Sequence, residues 1–177
     1  MSRLRFFSLA AAVGLLAATQ PAVAHDHKGK GTIVSAAASS PDHKTLVQAV
    51  NAAGLTSTLA GKGPFTVFAP TDAAFAKLPA GTVQTLLEPA NRDQLRTVLT
   101  YHVVSGKVKA ADLVGQINAG GGQASLTTVE GSPLTAILKE GKVVIRDEKG
   151  GEATVTTADL ETGNGVVHVT DAVSIPG

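Results

Sequence analysis

The stretch GPFTVFAPTDAAFAKLP, residues 63–79, leaves the chain few ways to fold. Phe65 to Ala69 is largely apolar on both alternating faces, the pattern of a strand covered on both sides. Pro70 ends that strand and Thr71 is suited to cap a helix. Asp72 puts a negative charge at the positive end of that helix, and Phe75 and Leu78 recur at helical spacing to pack it down. A buried strand therefore turns directly into a short helix. Thr71 and Asp72 have a sufficient structural role as cap and first-turn acid.

The first two dozen residues read as an export signal rather than as part of the fold. Arg3 and Arg5 form a basic start, Phe6 to Ala18 is apolar, and Ala22-Val23-Ala24 fits a small-residue cleavage site. The apolar stretch is shorter than the roughly 20 residues a membrane span needs. The expected organisation is a removed signal peptide over 1–24, a flexible tail over 25–38 and one domain over 39–177. Fifteen basic residues, less Arg3 and Arg5, face fourteen acidic ones, so the mature chain carries a formal charge of −1. That balance, without a basic cluster, argues against nucleic acid or an anionic membrane as main partner. With no cysteine, the exported domain relies on its core rather than on disulfides, and carries no lipidated cysteine. The expectation is a soluble monomer in the periplasm or outside the cell.

Cleavage after Ala24 would expose His25-Asp26-His27 as a new terminus. An α-amine, two backbone amides and the His27 imidazole can present four nitrogens in a plane, which suits copper(II) or nickel(II). His25 and His27 are therefore candidate metal residues, beside the simpler reading of a solvated polar tail.

Ser40-Pro41 reads as the start of the first helix, with Leu46, Val47, Val50 and Ala53 on one face and Gly54 as its stop. His43 falls in its first turn, on the solvated side. A short helical piece around Thr56 to Ala60 follows, then a Gly-Lys-Gly-Pro turn into the buried strand. Val83, Leu86 and Leu87 mark a further helix, and Leu95, Val98 and Leu99 another. Tyr101 to Val104 reads as a strand, turned by Ser105-Gly106. Ala110 to Val114 gives one helical turn, and Gly115 to Gln123 a loop. From Ala124 the chain is rich in strands. Glu140-Gly141 and Asn164-Gly165 are hairpin signals, and Val166 to Ile175 is the closing strand. The fold class is α+β, with helices gathered on part of a mainly antiparallel sheet or sandwich.

Three stretches together resemble the fasciclin domain family: Thr66 to Pro79, the Tyr101-His102-Val103-Val104 segment after a leucine-rich helix, and NGVVHVTDAVSIP at 164–176. Ser174-Ile175 stand where the family often carries two leucines. The resemblance implies a wedge-shaped β-sandwich with several helices packed at one end, used outside the cell in adhesion and protein contact. It is closest to the single secreted bacterial kind. It also implies a partner-binding role for Tyr101 and His102, because the family's Tyr-His pair has been linked to cell-surface adhesion.

The residues themselves leave that role open. Tyr101, the only tyrosine, suits either an exposed anchor or a core ring whose hydroxyl meets a backbone carbonyl. In a strand, Tyr101 and His102 would face opposite ways. His168 lies between two valines and reads as a buried neutral histidine bonded to backbone. Asp171 differs from it in strand parity, so no direct pair is expected; both belong to the structural motif. No glycine-framed serine elbow or zinc-spaced cluster is present, so catalysis and a cofactor are not expected. The sequence points to a secreted module that binds a macromolecular or matrix partner. The competing reading is an envelope carrier of a small apolar ligand or of copper(II).

Overall fold

The computed structural model describes residues 31–177. Along the chain lie α1 (Ile33–Ser39), α2 (Lys44–Ala53), α3 (Thr56–Leu59), β1 (Phe65–Pro70), α4 (Asp72–Ala76), α5 (Thr82–Leu87) and α6 (Arg92–Tyr101). There follow β2 (Val103–Ser105), α7 (Ala110–Ala119), β3 (Gln123–Thr127), β4 (Pro133–Lys139), β5 (Lys142–Arg146), β6 (Glu152–Thr162) and β7 (Gly165–Thr170). The strands form one sheet in the order β2-β1-β7-β6-β5-β4-β3. All neighbours are antiparallel except β1 and β7, which run parallel from Phe65↔Gly165 to Pro70↔Thr170. A bridge between Val104 and Thr128 joins the two ends of the order, so the sheet curls almost into a barrel. The α+β class stands, and the expected sandwich takes the form of one sheet folded at β6.

β1 and β7 divide the interior. Val67, Ala69 and Val167 face a helical core with Ile33, Leu46, Val50, Phe75, Leu95 and Leu99. Phe68 faces a second core with Tyr101, Leu113, Ile117, Leu134 and Ile145. The two-sided burial expected of Phe65–Ala69 thus corresponds to a real partition wall. Thr71 caps α4 as expected, its Oγ1 accepting the Ala74 amide at 3.2 Å.

Several expectations fail, each where tertiary burial outweighs local signals. Residues 33–38, expected in the flexible tail, are helical in α1, with Ile33 buried and the Thr32 hydroxyl accepting the Ser35 amide. Ser40 is the C-cap of α1, not the start of α2, and α2 begins at Lys44. His43 is its N-cap residue and is buried rather than solvated. His43 supplies no side-chain cap; instead the Asp72 carboxylate, 27 residues away, accepts the Thr45 amide at 2.8 Å. Burial works to raise the Asp72 pKa, but hydrogen bonds from Thr45 and Lys44 outweigh it and hold the group below the usual carboxylate value.

Tyr101 and His102 are not in a strand: Tyr101 closes α6 and His102 is its C-cap. The expected loop from Gly115 is helical to Ala119, since Leu113 and Ile117 are both buried one turn apart. That burial exceeds the roughly 1 kcal/mol that a helical glycine costs. The Glu140-Gly141 hairpin forms as expected, with φ of 52° and 77°. The second hairpin turns on Gly163-Asn164, leaving Gly165 paired with Thr162 inside the sheet. β7 stops at Thr170, short of the expected Ile175, and the Ser174 and Ile175 amides bind side chains rather than a neighbouring strand.

Candidate functional site

Tyr101 and His102 are consecutive, yet they enter different interiors. The Tyr101 ring lies fully buried in the sheet core, and its hydroxyl donates to the Pro133 carbonyl at 3.1 Å. Burial pushes its pKa up to about 12. His102 is 3% exposed and lies against Leu99, Val103 and Val67 on the helical side. Its Nδ1 is 2.7 Å from the Val98 carbonyl and its Nε2 is 3.0 Å from the Ser174 amide nitrogen. A carbonyl can only accept and an amide N–H only donate, so Nδ1 carries the proton and Nε2 accepts. Both ring nitrogens are satisfied in the neutral form. Burial lowers the His102 pKa, against the smaller opposing effects of the Val98 bond and the Asp147 carboxylate. Neither residue of the pair is free to touch a partner in this fold, so the direct-contact role implied by the resemblance is corrected here.

What His102 does is fasten two walls of a surface groove. Val98, whose carbonyl it holds, lines the groove from α6. Ser174 stands between Val173 and Ile175, which line the opposite wall. Leu78, Leu86 and Pro176 complete the half-buried apolar lining, with Asp93 and Lys149 at the rim and a volume of about 480 Å³. Two further bonds hold the C-terminal segment: the Ile175 amide donates to Asp147 Oδ2 at 2.9 Å and the Gly177 amide to Glu148 Oε2 at 2.8 Å. Asp147 also accepts the Gly151 amide at 2.6 Å, so one buried carboxylate braces both the β5–β6 turn and the strap. Reading the sequence as a strand through Ile175 hid this strap; the sign was Pro176 and the polar Asp171 and Ser174 interrupting the apolar alternation.

His168 is fully buried and stacks on Phe68, ring centroids 5.4 Å apart, as its register partner across β1 and β7. Its Nε2–H donates to the Val108 carbonyl at 2.8 Å and its Nδ1 accepts the Asp159 amide at 3.3 Å. It is the buried, neutral, backbone-bonded histidine expected, with burial lowering its pKa. Asp171 does not pair with it: Oδ1 accepts the Thr154 amide at 2.8 Å and Oδ2 lies 3.7 Å from Lys77 Nζ. The candidate metal residues His25 and His27 lie outside the described residues. Among the described residues, no group of three or more His, Cys, Asp or Glu side chains is arranged to hold a metal ion.

Asn164 emerges as a structural hub. Its Nδ2 donates to the carbonyls of Leu59 and Gly61 at 2.6 and 3.0 Å, and its Oδ1 accepts the Ile33 amide at 2.9 Å. Its own carbonyl accepts the Phe65 amide. One side chain thus ties α1, α3 and the turn before β1 to the last hairpin. The Asn-Gly pair signalled the hairpin and gave no sign of the rest.

The near-closed mixed sheet, the helical cap and the strap define an α+β domain architecture seen in solved structures. The chain matches a domain pair from the insect cell adhesion molecule fasciclin I with a TM-score of 0.72 and 21% identity. That match covers 82% of this chain and about half (51%) of the pair. A family profile for the fasciclin domain matches residues 41–176, and the chain belongs to that family. Among relatives, Protein sll1483 of Synechocystis is 49% identical over 82% of this chain and 73% of that protein. Immunogenic protein MPB70 of Mycobacterium bovis is 34% identical, covering 81% and 68%. The transforming growth factor-beta-induced protein ig-h3 of Sus scrofa is 33% identical over 82% of this chain but only 19% of its own length. Among the described residues no helix is long and apolar enough to cross a membrane.

Proposed function

We propose that this protein is a secreted adhesion or protein-interaction module, freed from a signal peptide over residues 1–24, that binds a macromolecular or matrix partner without chemistry of its own. The contact surface in this reading is the groove between α6 and the C-terminal strap. One observation carries it: His102 bridges the two walls of that groove while being buried itself. The Tyr-His pair then affects binding by positioning rather than by touch. Its apolar lining and polar rim suit an extended segment of a partner protein.

One relative supports a cell-surface setting through its name, the cell surface glycolipoprotein MPB83 of Mycobacterium bovis. The non-catalytic reading is supported by His102 and His168, which spend both ring nitrogens on backbone groups. The carrier reading draws little from the small apolar cavity beside Ile33, Val50 and His102. At about 20 Å³ that cavity has room for one water, not for a ligand.

The test places a photo-crosslinking residue in the full chain at Gln94 or Thr97, with Lys142 on the far hairpin as control, in the producing cell. Adducts with a discrete partner at positions 94 and 97 and not at 142 support the groove. Equal labelling at all three positions, or none, sinks it.

A further inference from the structure

A second cleft, separate from the groove, lies where α1, the α1–α2 link, the end of β1 and the middle of β6 meet. Its volume is about 240 Å³, and its floor is Ala69, Val167 and Val169. A dry cavity of about 150 Å³ accommodates benzene, and drug-sized pockets start at about 300 Å³. The space therefore fits a molecule of about ten non-hydrogen atoms.

Two features of this cleft point to a ligand. The first is Leu160, a large apolar side chain left 44% exposed at the cleft's edge. It stands there because β6 slips register twice, between Val155 and Thr157 and between Thr157 and Leu160, around Asp159 at φ 58°. Bulges of this kind commonly re-aim side chains beside functional sites. The second is His43, which forms part of the cleft wall and is 5% exposed. Its Nδ1 is occupied by Ser40 Oγ at 2.8 Å, but its Nε2 is buried with no hydrogen-bond partner. His102 and His168 show that this fold otherwise satisfies both nitrogens of a buried imidazole. An unpaired buried polar atom is costly, and a ligand that pairs it recovers that cost.

We propose that this cleft binds a small amphipathic alcohol, with an apolar body on Ala69, Val167 and Leu160 and a hydroxyl on His43 Nε2. A hydroxyl can donate or accept, so it serves either tautomer of the ring. A carboxylate head would meet the Asp42 side chain, which lines the cleft beside His43. An ammonium head would be drawn to Asp42 and leave Nε2 unpaired. Nε2 is closed to a water-sized group in this conformer, so the hydroxyl pairs with it once the His43 ring turns toward the cleft. The ring already lines the cleft, and engagement asks for a side-chain adjustment rather than a change of fold.

The experiment titrates the full secreted chain with 1-butanol, 1-pentanol, 1-hexanol, hexanoate and hexylammonium, followed by 15N NMR of the His43 imidazole and of the Ala36, Ala37, Val167 and Val169 amides. Saturable shifts are expected with the alcohols, with affinity rising about four-fold per methylene. Leu160→Trp, a surface change that fills the cleft, should abolish them. His43→Phe should weaken binding about ten-fold if it folds, by removing the hydrogen bond while keeping the apolar wall. Shifts that grow linearly without saturating, equal binding of hexanoate or hexylammonium, or unchanged binding in Leu160→Trp would each overturn the proposal.

Discussion

The Nε2 atom of His102 accepts the Ser174 amide at 3.0 Å across 72 positions of sequence, and this contact joins the end of α6 to the C-terminal strap. His102→Ala removes both this bond and the one to Val98, leaving a buried amide and a void. The expected loss is about 3–4 kcal/mol, combining the orphaned donor with the cavity. Urea unfolding measures that loss. Amide exchange should show Ser174 and Ile175 opening before the sheet core; uniform opening would mean that the strap is not a separable unit.

His102 and His168 make the fold acid-sensitive, and the sign follows from their lowered pKa values. Below the ordinary value of 6.5 the unfolded chain takes up protons at His102 and His168 while the folded chain does not. Stability is therefore full above about pH 6.5 and declines as pH falls toward the folded-state values. Each residue contributes a slope of at most about 1.4 kcal/mol per pH unit over that window. Asp72, held low by the α2 amides, adds a further loss only below its ordinary 3.8. Urea midpoints measured between pH 7.5 and 5 should fall, and His168→Phe should flatten the slope. A flat profile in the parent protein would contradict the neutral assignments.

Asn164 should tolerate no common substitute. Asn164→Ala frees the carbonyls of Leu59 and Gly61 and the amide of Ile33, for an expected cost of about 2–4 kcal/mol. Asn164→Asp is the sharper test, because it sets a carboxylate against those two carbonyls and should cost at least as much. If denaturant unfolding finds the aspartate variant as stable as the parent, the donor role of Nδ2 is wrong.

How far these relationships could be read from sequence depends on whether the partner is near in the chain. Thr71 caps Ala74 three residues away, and Glu140-Gly141 closes a hairpin between its neighbours. Both are visible locally. Asp72 capping α2, Asn164 reaching α1 and α3, and His102 meeting Ser174 join distant segments, and residue type alone carries no sign of the partner. Tyr-His-Val-Val favours a strand locally, while burial in the sheet core keeps Tyr101 in the last turn of α6. A first-turn histidine is usually solvated, and the burial of His43 comes from tertiary packing that its residue type does not signal.

Two glycines should respond in opposite ways to alanine. A methyl group on Gly165 would lie on the Phe65 carbonyl oxygen, at the first pair of the parallel β1–β7 ladder, and would force the strands apart there. Gly165→Ala is expected to cost about 3 kcal/mol or more. Gly115 lies inside α7 with open space around its Cβ, so Gly115→Ala should stabilise by about 0.5–1 kcal/mol. Thermal unfolding of the pair reads both signs in one experiment; a destabilised Gly115→Ala would mean that α7 is not continuous in solution.

Tyr101 offers a single-site optical probe, since the chain has one tyrosine and no tryptophan. Its hydroxyl donates to the Pro133 carbonyl, and burial pushes its pKa up to about 12. Ionisation would place a charge in the sheet core and remove the donated proton, so the native protein should show almost no phenolate absorbance at pH 10.5. The same sample in urea should titrate near the ordinary 10.0. Tyr101→Phe keeps the ring and loses only the hydrogen bond, leaving the Pro133 carbonyl short of its partner. Its expected cost is about 1–2 kcal/mol. Reversible native-state ionisation near pH 10 would show that the ring is reachable by solvent, and would return Tyr101 to the set of residues able to meet a partner directly.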